Sequence, residues 1–288
     1  MPWVAFAILS LAMVTLLCPV RGCGEPLARK ERAYHCPRGH SFDLARSGYC
    51  NLLQPQDRRS KEPGDPNEAV LARRRFLEAG HGDLLLSALR ESVLDVPAVL
   101  DVLDIGCGEG FYLGTLAGER PLEAHGLDIS TAAVGLAARR YPGACWFVAN
   151  ADRTLPYPGR SFDLVLSLTA RRNAPEVHRV LRPAGRLVVA VPGEDDLIEA
   201  REAVLGERLL RSRVESVRTD FAAHFDLESH RTLRRRERLT AAEVRDALAA
   251  TYRGARESER QRLGRIEAMD VTLSFDFFIF RPWPVEVS

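Results

Sequence analysis

Hydrophobic positions divide the chain into a polar, cysteine-bearing first part and a second part in which apolar runs alternate with helical patterns. The first apolar run, Val99–Ile105, leads directly into a glycine-rich loop and a predicted helix from Phe111 to Ala117. Short buried strands that alternate with helices are typical of strand–helix–strand units around a parallel sheet. The pattern therefore predicts an α/β fold with a doubly wound, mostly parallel sheet.

The same periodicity predicts the remaining elements. Further strands are expected at Glu123–Leu127, Cys145–Ala149, Phe162–Leu168, Arg186–Val191, Thr232–Leu239 and Val271–Phe280. Helices are expected at Ala69–Ala79, Asp83–Val93, Ala132–Arg140, Glu176–Leu181, Leu197–Leu210 and from Thr240 to Ala250. Ser130 is the predicted N-cap of the helix at Ala132, and Thr240 forms a capping box with Glu243.

Composition along the chain predicts four segments. They are an apolar N-terminal extension (1–17), a cysteine-bearing segment (18–50), a linker with helices (51–95) and a domain of alternating strands and helices (96–288). The extension carries no charge and has three interpretations. A secretory signal normally has a basic start and a small-residue cleavage site, and neither is visible here. A membrane-spanning helix needs about 20 apolar residues, and this run is shorter. The third interpretation is that translation begins at Met13. Because the rest of the sequence indicates intracellular chemistry, we expect a cytoplasmic protein without a membrane partner.

Four of the six cysteines lie in the first fifty residues. Cys18 and Cys23 are separated by four residues, and Cys36 and His40 by three, with a proline and a glycine in each pair's turn. Two such pairs are typical of a tetrahedral zinc site, in which the metal stabilises a segment too short to bury a core. A disulfide-linked segment or unrelated free thiols are the alternatives, and the pattern favours zinc.

The loop after the first strand contains Asp104 and the spacing Gly106-x-Gly108-x-Gly110. Dinucleotide folds instead use G-x-G-x-x-G to receive a pyrophosphate. Here Asp104 and Glu109 suit a cationic ligand, and S-adenosylmethionine carries a sulfonium and an ammonium but no phosphate. The loop therefore predicts a site for this methyl donor.

Two later carboxylates complete the predicted donor site. Asp128 ends the second strand of the domain, where an acidic side chain can accept hydrogen bonds from both ribose hydroxyls. Asp152 follows the third strand and is placed to meet the adenine amino group. The Leu181–Gly185 turn follows them in the sequence, as is typical of class I methyltransferases. Together these residues favour a class I Rossmann-like methyltransferase over an unrelated nucleotide-binding protein.

The net charge of +1 argues against a general polyanion binder, so contact with nucleic acid requires a local basic surface. Basic residues are concentrated early in the chain, where they form either such a surface or an ordinary solvated face. They are Arg29, Lys30, Arg32, Arg38, Arg46, Arg58, Arg59, Lys61 and Arg73–Arg75.

The most specific part of the sequence lies between the two predicted domains. It comprises His40-Ser41-Phe42-Asp43, Gly48-Tyr49-x-Asn51-Leu52-Leu53, Asp65, Ala72-Arg73, Phe76-Leu77 and Ala79-Gly80-His81. With the cysteine pairs and the glycine loop, this sequence resembles the zinc-containing 23S ribosomal RNA guanine-N1 methyltransferases, which include macrolide-resistance enzymes. The resemblance extends from Cys18 to Pro282.

The resemblance implies zinc at Cys18, Cys23, Cys36 and His40. It also implies donor binding at Gly108 and Glu109, and methylation of one guanine in a hairpin loop of 23S ribosomal RNA; a homodimer is among the assemblies expected.

The sequence departs from the family at four points. The first cysteine pair is usually separated by two residues, Gly82 stands where the family has a donor-contacting tyrosine, Asp196 replaces a histidine, and Ala170–Arg171 replaces Ala-Pro.

No catalytic residue is assigned by the sequence. A carboxylate near the loop after the fourth strand, or in Asp195–Asp196, is the hypothesised acceptor of the guanine N1 proton, and Arg73–Arg75 are expected to contact RNA phosphates. Two alternative functions remain: a small-molecule methyltransferase of the quinone-biosynthesis type, and a non-catalytic RNA-binding protein with a decayed donor site.

Overall fold

The computed structural model describes residues 14–58, 63–93, 100–251 and 257–284. Most of the predicted extension, and the start of the predicted strand at Val99, lie outside these residues. In the described parts of the chain, no helix combines the length and apolar character needed to cross a membrane.

The described strands form two sheets. The strands are β1 (Leu16–Leu17), β2 (Pro26–Lys30), β3 (Ala33–His35), β4 (Ser41–Asp43), β5 (Cys50–Asn51), β6 (Leu100–Ile105), β7 (Leu122–Asp128), β8 (Cys145–Val148), β9 (Phe162–Leu168), β10 (Leu181–Pro192), β11 (Phe225–Leu239) and β12 (Met269–Pro282). Strands β1 to β4 form a small antiparallel sheet in sequence order. The larger sheet has the order β11-β12-β10-β9-β6-β7-β8-β5, in which β12 is antiparallel to both of its neighbours, β11 and β10, and the remaining neighbours are parallel.

Helices cover both faces of the larger sheet. They are α1 (Asn67–Phe76), α2 (Asp83–Val93), α3 (Phe111–Glu119), α4 (Thr131–Arg140), α5 (Ala174–Val180), α6 (Ile198–Leu205), α7 (Val214–Phe221), α8 (Ala241–Thr251) and α9 (Glu257–Gly264), with a short 3-10 turn at Pro55–Asp57 and a π-turn at Leu77–His81. One buried cluster joins α2, α3 and α4 to one face, and another joins α5, α7 and the small sheet to the other. The predicted doubly wound, mostly parallel α/β fold is confirmed.

Several predicted element boundaries are corrected. The helix predicted at Leu197–Leu210 ends at Leu205, because Gly206 adopts φ +83°. The strand predicted at Thr232–Leu239 begins earlier, at Phe225, since it pairs along nearly the whole of β12. Both predicted caps are present: Ser130 Oγ accepts the Ala133 N–H (3.3 Å), and Thr240 and Glu243 bond reciprocally.

The small sheet is packed directly on the larger one. β5 adds to the edge of the larger sheet by parallel pairing with β8, and the Tyr34 ring meets the Phe147 ring edge-on at 6.2 Å. The Leu17 N–H donates to the Pro156 carbonyl (2.8 Å). Leu16 and Leu17 are thus part of the small sheet, although they belong to the apolar extension in composition. The cysteine-bearing segment is therefore held in a fixed position beside the carboxyl ends of the parallel strands.

Gly126 in β7 provides a test of core packing. A Cβ at this position would overlap the buried Trp146 ring, whereas a Cβ on Gly118, exposed in α3, would meet nothing within 4 Å. We expect Gly126→Ala to lower the free energy of unfolding by about 1–3 kcal/mol, because a packed ring must shift. Gly118→Ala is the control and should raise it by about 0.5–1 kcal/mol through helix propensity. Urea unfolding measures both, and an unperturbed Gly126→Ala would contradict this packing.

Candidate donor cleft and metal centre

A cleft of about 290 Å³ opens at the carboxyl ends of the parallel strands. It lies where β6 pairs with β7 on one side and β9 on the other, so that the connections on its two sides run in opposite directions. In open α/β sheets, ligands bind at this topological switch point. The cleft is lined by Pro63, Gly64, Asp65, Val70, Arg73, Ile105, Gly106, Gly108, Glu109, Asp128, Ile129, Ser130, Ala133, Ala149–Asp152 and Thr169–Arg171.

The glycine loop shapes the floor of the cleft through its backbone. Gly106, Gly108 and Gly110 all adopt positive φ, at +74°, +56° and +80°, a region that disfavours side chains. A Cβ on Gly106 would lie 2.5 Å from the Ala170 Cβ, and one on Gly110 would lie 2.6 Å from the Trp146 ring. The glycines therefore allow both the turn and the close approach of neighbouring elements.

Asp128 joins the loop to the second strand. Its Oδ2 accepts the Gly108 N–H (3.0 Å) and its Oδ1 accepts the Ser130 N–H (2.8 Å). Burial raises the pKa of this carboxyl, and the backbone N–H groups of Ser130 and Gly108 oppose that rise. The carboxylate is therefore held rigidly at the rim, with acceptor capacity left for a ligand.

Two buried carboxylates beside the loop have oxygens without a hydrogen bond among the described residues, Asp104 Oδ1 and Glu109 Oε2. Burial, followed by the neighbouring Asp128 charge, raises the pKa of Asp104 to about 8. Burial likewise raises the pKa of Glu109, with Arg73 opposing it. A buried polar atom without a partner is costly. A cationic ligand in the cleft would relieve this cost, so the chemistry of the site fits S-adenosylmethionine.

The structure brings most of the predicted donor-binding residues to one cleft. Gly106, Gly108, Glu109, Asp128 and Asp152 line it. Asp104 and Gly110 do not line it: Asp104 lies near the end of β6, before the loop, and Gly110 immediately precedes α3.

Asp152 lies away from the glycine loop, at the end of the cleft formed by the turn after β8. Its N–H donates to Asn150 Oδ1 (2.9 Å), and its Oδ2 is 3.6 Å from Arg171 Nε. This is the end of the cleft at which the sequence predicted the adenine amino group.

Asp104→Asn should remove a pH dependence of donor affinity. A cationic donor favours the ionised carboxyl, so affinity for S-adenosylmethionine should rise with pH up to and through about 8. In the protein without donor, folding stability depends on pH with the opposite sign. Between pH 3.8 and about 8 the folded state keeps a proton on Asp104 that the unfolded chain has released, so the free energy of unfolding falls as the pH rises through this range. In calorimetric titrations at several pH values, Asp104→Asn should bind S-adenosylmethionine more weakly than wild type, and its affinity should vary less with pH.

Asp196→Asn is the matched control. Burial raises the pKa of Asp196 to about 7, but this carboxyl lies in the connection after β10 and binds the Ser274 N–H, whereas Asp104 lies two residues before Gly106 of the cleft. Its replacement should leave the pH dependence of donor affinity unchanged. Equal pH dependence of donor affinity in wild type and Asp104→Asn would contradict the role given to Asp104.

A thermal melt at pH 8 should also show that Asp104→Asn is more stable than wild type, by roughly 2–4 °C for each kcal/mol gained in the free energy of unfolding.

The arginine run Arg73–Arg75 is engaged within the protein, which corrects the expectation that the three together face RNA. Arg73 Nη2 donates to Thr169 Oγ1 (3.1 Å) in the cleft, Arg74 Nε donates to Glu78 (3.0 Å), and Arg75 forms a two-pronged pair with Asp246. Adjacent helical residues point in directions about 100° apart, so three in a row cannot share one ligand.

The predicted acidic pair Asp195–Asp196 lies outside the cleft. Asp195 is paired with Arg234 (2.7 Å), and Asp196 Oδ1 accepts the Ser274 N–H (2.9 Å), which fixes the connection after β10 against β12. Both carboxylates are therefore used within the fold, and the hypothesis that one of them accepts the guanine proton is not supported by their positions.

Gly82 packs against an aromatic side chain of α3. A Cβ on Gly82 would lie 2.6 Å from the Phe111 ring, which fills the space next to the glycine loop. The absence of a side chain at Gly82 is thus matched by a large one at the start of α3.

The second group of predicted ligands converges in the small sheet. Cys18, Cys23, Cys36 and His40 each place a ligand atom within 4.8 Å of all the others. Their Sγ and Nδ1 atoms are 3.4 Å apart for Cys18–His40, 3.3 Å for Cys36–His40 and 3.9 Å for Cys23–Cys36. The edges of a zinc-centred tetrahedron with these donors are about 3.6–3.8 Å. The four side chains therefore fit zinc.

Two tight turns carry these ligands. Gly22 and Gly24 adopt positive φ beside Cys23, and Gly39 does so between Cys36 and His40, where the Gly39 N–H donates to the Cys36 carbonyl (3.0 Å). The wide Cys18–Cys23 spacing is accommodated by this extra turn. Burial acts to raise the pKa of Cys36, but N–H groups of His40 and Arg38 outweigh it and lower the pKa to about 7, which favours the thiolate that a metal requires.

Family models match both halves of the chain. A zinc-ribbon model described as "RlmA, N-terminal" matches residues 16–61, and a model described as "Methyltransferase domain" matches residues 102–187. The solved structure of the YcgJ protein from Bacillus subtilis superposes with a TM-score of 0.50 at 16% identity, covering 71% of this chain and all of that one, and it shares the fold.

Relatives match nearly the whole chain. The 23S rRNA (guanine(748)-N(1))-methyltransferase of Streptomyces fradiae is 34% identical over 278 residues, which cover 93% of this chain and 97% of the relative. A relative from Micromonospora griseorubida is 35% identical over 249 residues, which cover 80% of this chain and 83% of the relative. The matches thus include the zinc ribbon, the donor domain and the segment between them. This chain therefore belongs to the family of 23S rRNA (guanine-N1)-methyltransferases.

Proposed function

We propose that this protein transfers a methyl group from S-adenosylmethionine to N1 of a guanine in a hairpin loop of 23S ribosomal RNA. The observation that carries the proposal is the fixed arrangement of a donor cleft beside a zinc ribbon in one chain. A donor cleft alone would suit many acceptors, but a rigid metal-stabilised ribbon packed at its rim suits a large, folded one. The Streptomyces fradiae relative, which matches 93% of this chain, has this activity in its name.

The donor cleft supplies binding and orientation. With the donor bound, the glycine loop would approach it closely and Asp128 would accept hydrogen bonds from the ribose hydroxyls. Asp152 would lie at the adenine end, and Asp104 and Glu109 would supply negative potential at the cationic end. S-Adenosylmethionine supplies an activated methyl group on a sulfonium. In the transfer to guanine N1, the methyl–sulfur bond breaks in line as the methyl–nitrogen bond forms, S-adenosylhomocysteine leaves, and the N1 proton passes to water. Positioning of the reactants by the protein lowers the barrier by several kcal/mol.

The zinc site has a structural role. With Cys18, Cys23, Cys36 and His40 as its four ligands, the metal has no open position for chemistry. It fixes the two turns of the ribbon, which the few buried apolar side chains of that segment cannot do alone.

A groove between the ribbon and the larger sheet is the proposed path of the RNA. It encloses about 650 Å³, is lined by the first cysteine turn and the loop after β8, and shares Ala149 and Asn150 with the donor cleft. Arg21 and Arg153 line it, and both are exposed; the Arg153 Nε also lies 3.6 Å from the Asp57 Oδ1 in the same groove. Exposed arginines suit the phosphates of a single-stranded loop, in which guanine N1 is free of base pairing.

Methylation of RNA fragments tests the proposed acceptor. The purified protein should transfer radiolabelled methyl groups to short 23S ribosomal RNA hairpins, and primer extension should stop at one guanine, because an N1-methyl group blocks pairing. A demethylated quinone offered in parallel should receive no label. Label on the quinone alone would instead establish the small-molecule alternative, and donor binding without transfer to either acceptor would favour a non-catalytic RNA-binding protein.

A further inference from the structure

Arg73 is a cation placed in a cleft that is otherwise rich in carboxylates. It lies on α1 one turn after Val70, and both residues line the donor cleft. Its Nη2 donates to Thr169 Oγ1 (3.1 Å), and its Nε lies 3.8 Å from Glu109 Oε2. Only 27% of the side chain is exposed, so the guanidinium is committed to this cleft and not to bulk solvent.

Thr169 helps to fix the position of Arg73. It follows β9 directly and adopts φ +56°, a conformation that a β-branched residue avoids. The Thr169 N–H donates to the Ala190 carbonyl (2.7 Å), which holds the backbone in this state, while the hydroxyl oxygen accepts from Arg73. Strain of this kind persists where surrounding structure enforces it and is concentrated at functional sites.

The charges of the cleft leave one part of the donor unmatched. The amino-acid end of S-adenosylmethionine is a zwitterion, with an ammonium and a carboxylate. Asp104 and Glu109 suit the cationic groups, but together with Asp128 they would repel the carboxylate. Of the residues that line the cleft, the arginines are Arg73 and Arg171, and Arg171 is 76% exposed at the Asp152 end.

We propose that Arg73 binds the carboxylate of the methyl donor's amino-acid end and so selects donors that carry it. This inference rests on the proposed function, because it assigns one more contact to the same donor. The guanidinium presents parallel N–H groups that match a carboxylate in two-point geometry. When the donor is bound, its carboxylate takes the place of Glu109 as the partner of Arg73, and Glu109 is left to face the cationic groups.

The test compares ligands that differ only in the carboxylate. Calorimetric titration measures the Kd of S-adenosylmethionine and of decarboxylated S-adenosylmethionine for wild type, Arg73→Ala and Arg74→Ala. Arg74 is the matched control, since it is the next residue on the helix and pairs with Glu78 outside the cleft. We expect Arg73→Ala to weaken S-adenosylmethionine binding by about 10- to 100-fold, a typical loss for a charge-assisted pair. Its Kd for the decarboxylated compound should be no weaker than that of wild type.

The outcomes separate this inference from the proposed function. If wild type binds S-adenosylmethionine and Arg73→Ala binds it equally well, the carboxylate role is wrong while donor binding stands. An equal loss for both ligands in Arg73→Ala would also overturn it, because Arg73 would then act without the carboxylate. If wild type binds neither ligand, the proposed function fails as well. Arg73→Lys, which keeps the charge but loses the two-point geometry, should give an intermediate Kd and covers the case of a poorly folded alanine variant.

Discussion

Asp128→Ala should abolish useful donor binding, with the Kd for S-adenosylmethionine rising at least about 100-fold. The carboxylate of Asp128 is held by the N–H groups of Gly108 and Ser130 at the rim of the cleft, where its remaining lone pairs face the position proposed for the ribose. A hydrogen bond to a charged group contributes about 1.5–3 kcal/mol, and both ribose hydroxyls lose their acceptor together. Each 1.4 kcal/mol corresponds to a tenfold change in affinity.

Asp152→Ala is the matched control for this variant. Both residues are carboxylates that line the cleft, but the Asp152 Oδ2 lies 3.6 Å from the Arg171 Nε and accepts no backbone N–H of the glycine loop, so its loss should raise the Kd less than tenfold. Calorimetry measures both values, and circular dichroism checks that the fold is retained. Unchanged affinity in a folded Asp128→Ala would contradict the orientation proposed for the donor.

Loss of a zinc ligand should have the second large effect. In Cys36→Ser the metal content should fall from one zinc per chain to nearly none, since one of four ligands is lost from a closed site. Metal binding supplies the folding free energy of such segments, about 10–16 kcal/mol in isolated zinc-finger peptides. The ribbon should therefore become sensitive to proteolysis, and RNA affinity should fall. Elemental analysis and limited proteolysis measure the effect.

Cys50→Ala is the control within the same segment. Cys50 is fully buried, but it lies outside the four-residue cluster, and its thiol donates to the Phe42 carbonyl (3.7 Å). This variant should keep its zinc. Donor affinity should persist in Cys36→Ser, because none of the four ligands lines the donor cleft. A Cys36→Ser protein that retained zinc would show that the metal is held elsewhere.

Features with a short-range chemical signature were predictable from the sequence. The cysteine pairs, the glycine loop and Asp128 each depend on spacing within a few residues, and the structure places them as that spacing implies. Strand positions followed from apolar runs, because a strand buried on both faces has no polar alternation.

Features that depend on distant pairing were not predictable. β5 is only two residues long, and its place at the edge of the larger sheet comes from pairing with β8, nearly a hundred residues away. The charge run at Arg73–Arg75 indicated a nucleic-acid contact, whereas packing of α1 across the cleft gives Arg73 a different neighbour from Arg74 and Arg75. The position of Arg73 in the donor cleft had one signal in the sequence: Arg73 lies three residues after the apolar Val70 and so on the same face of the helix.

Nucleoside analysis of the reaction product tests the central claim most directly. 23S ribosomal RNA is incubated with the protein and S-adenosylmethionine that carries a deuterated methyl group, then digested and analysed by mass spectrometry. We expect the label in 1-methylguanosine, with one such nucleoside gained per RNA molecule, and none with Asp128→Ala. Label in any other nucleoside, or an unlabelled RNA under conditions in which the protein binds the donor, would contradict the proposed activity.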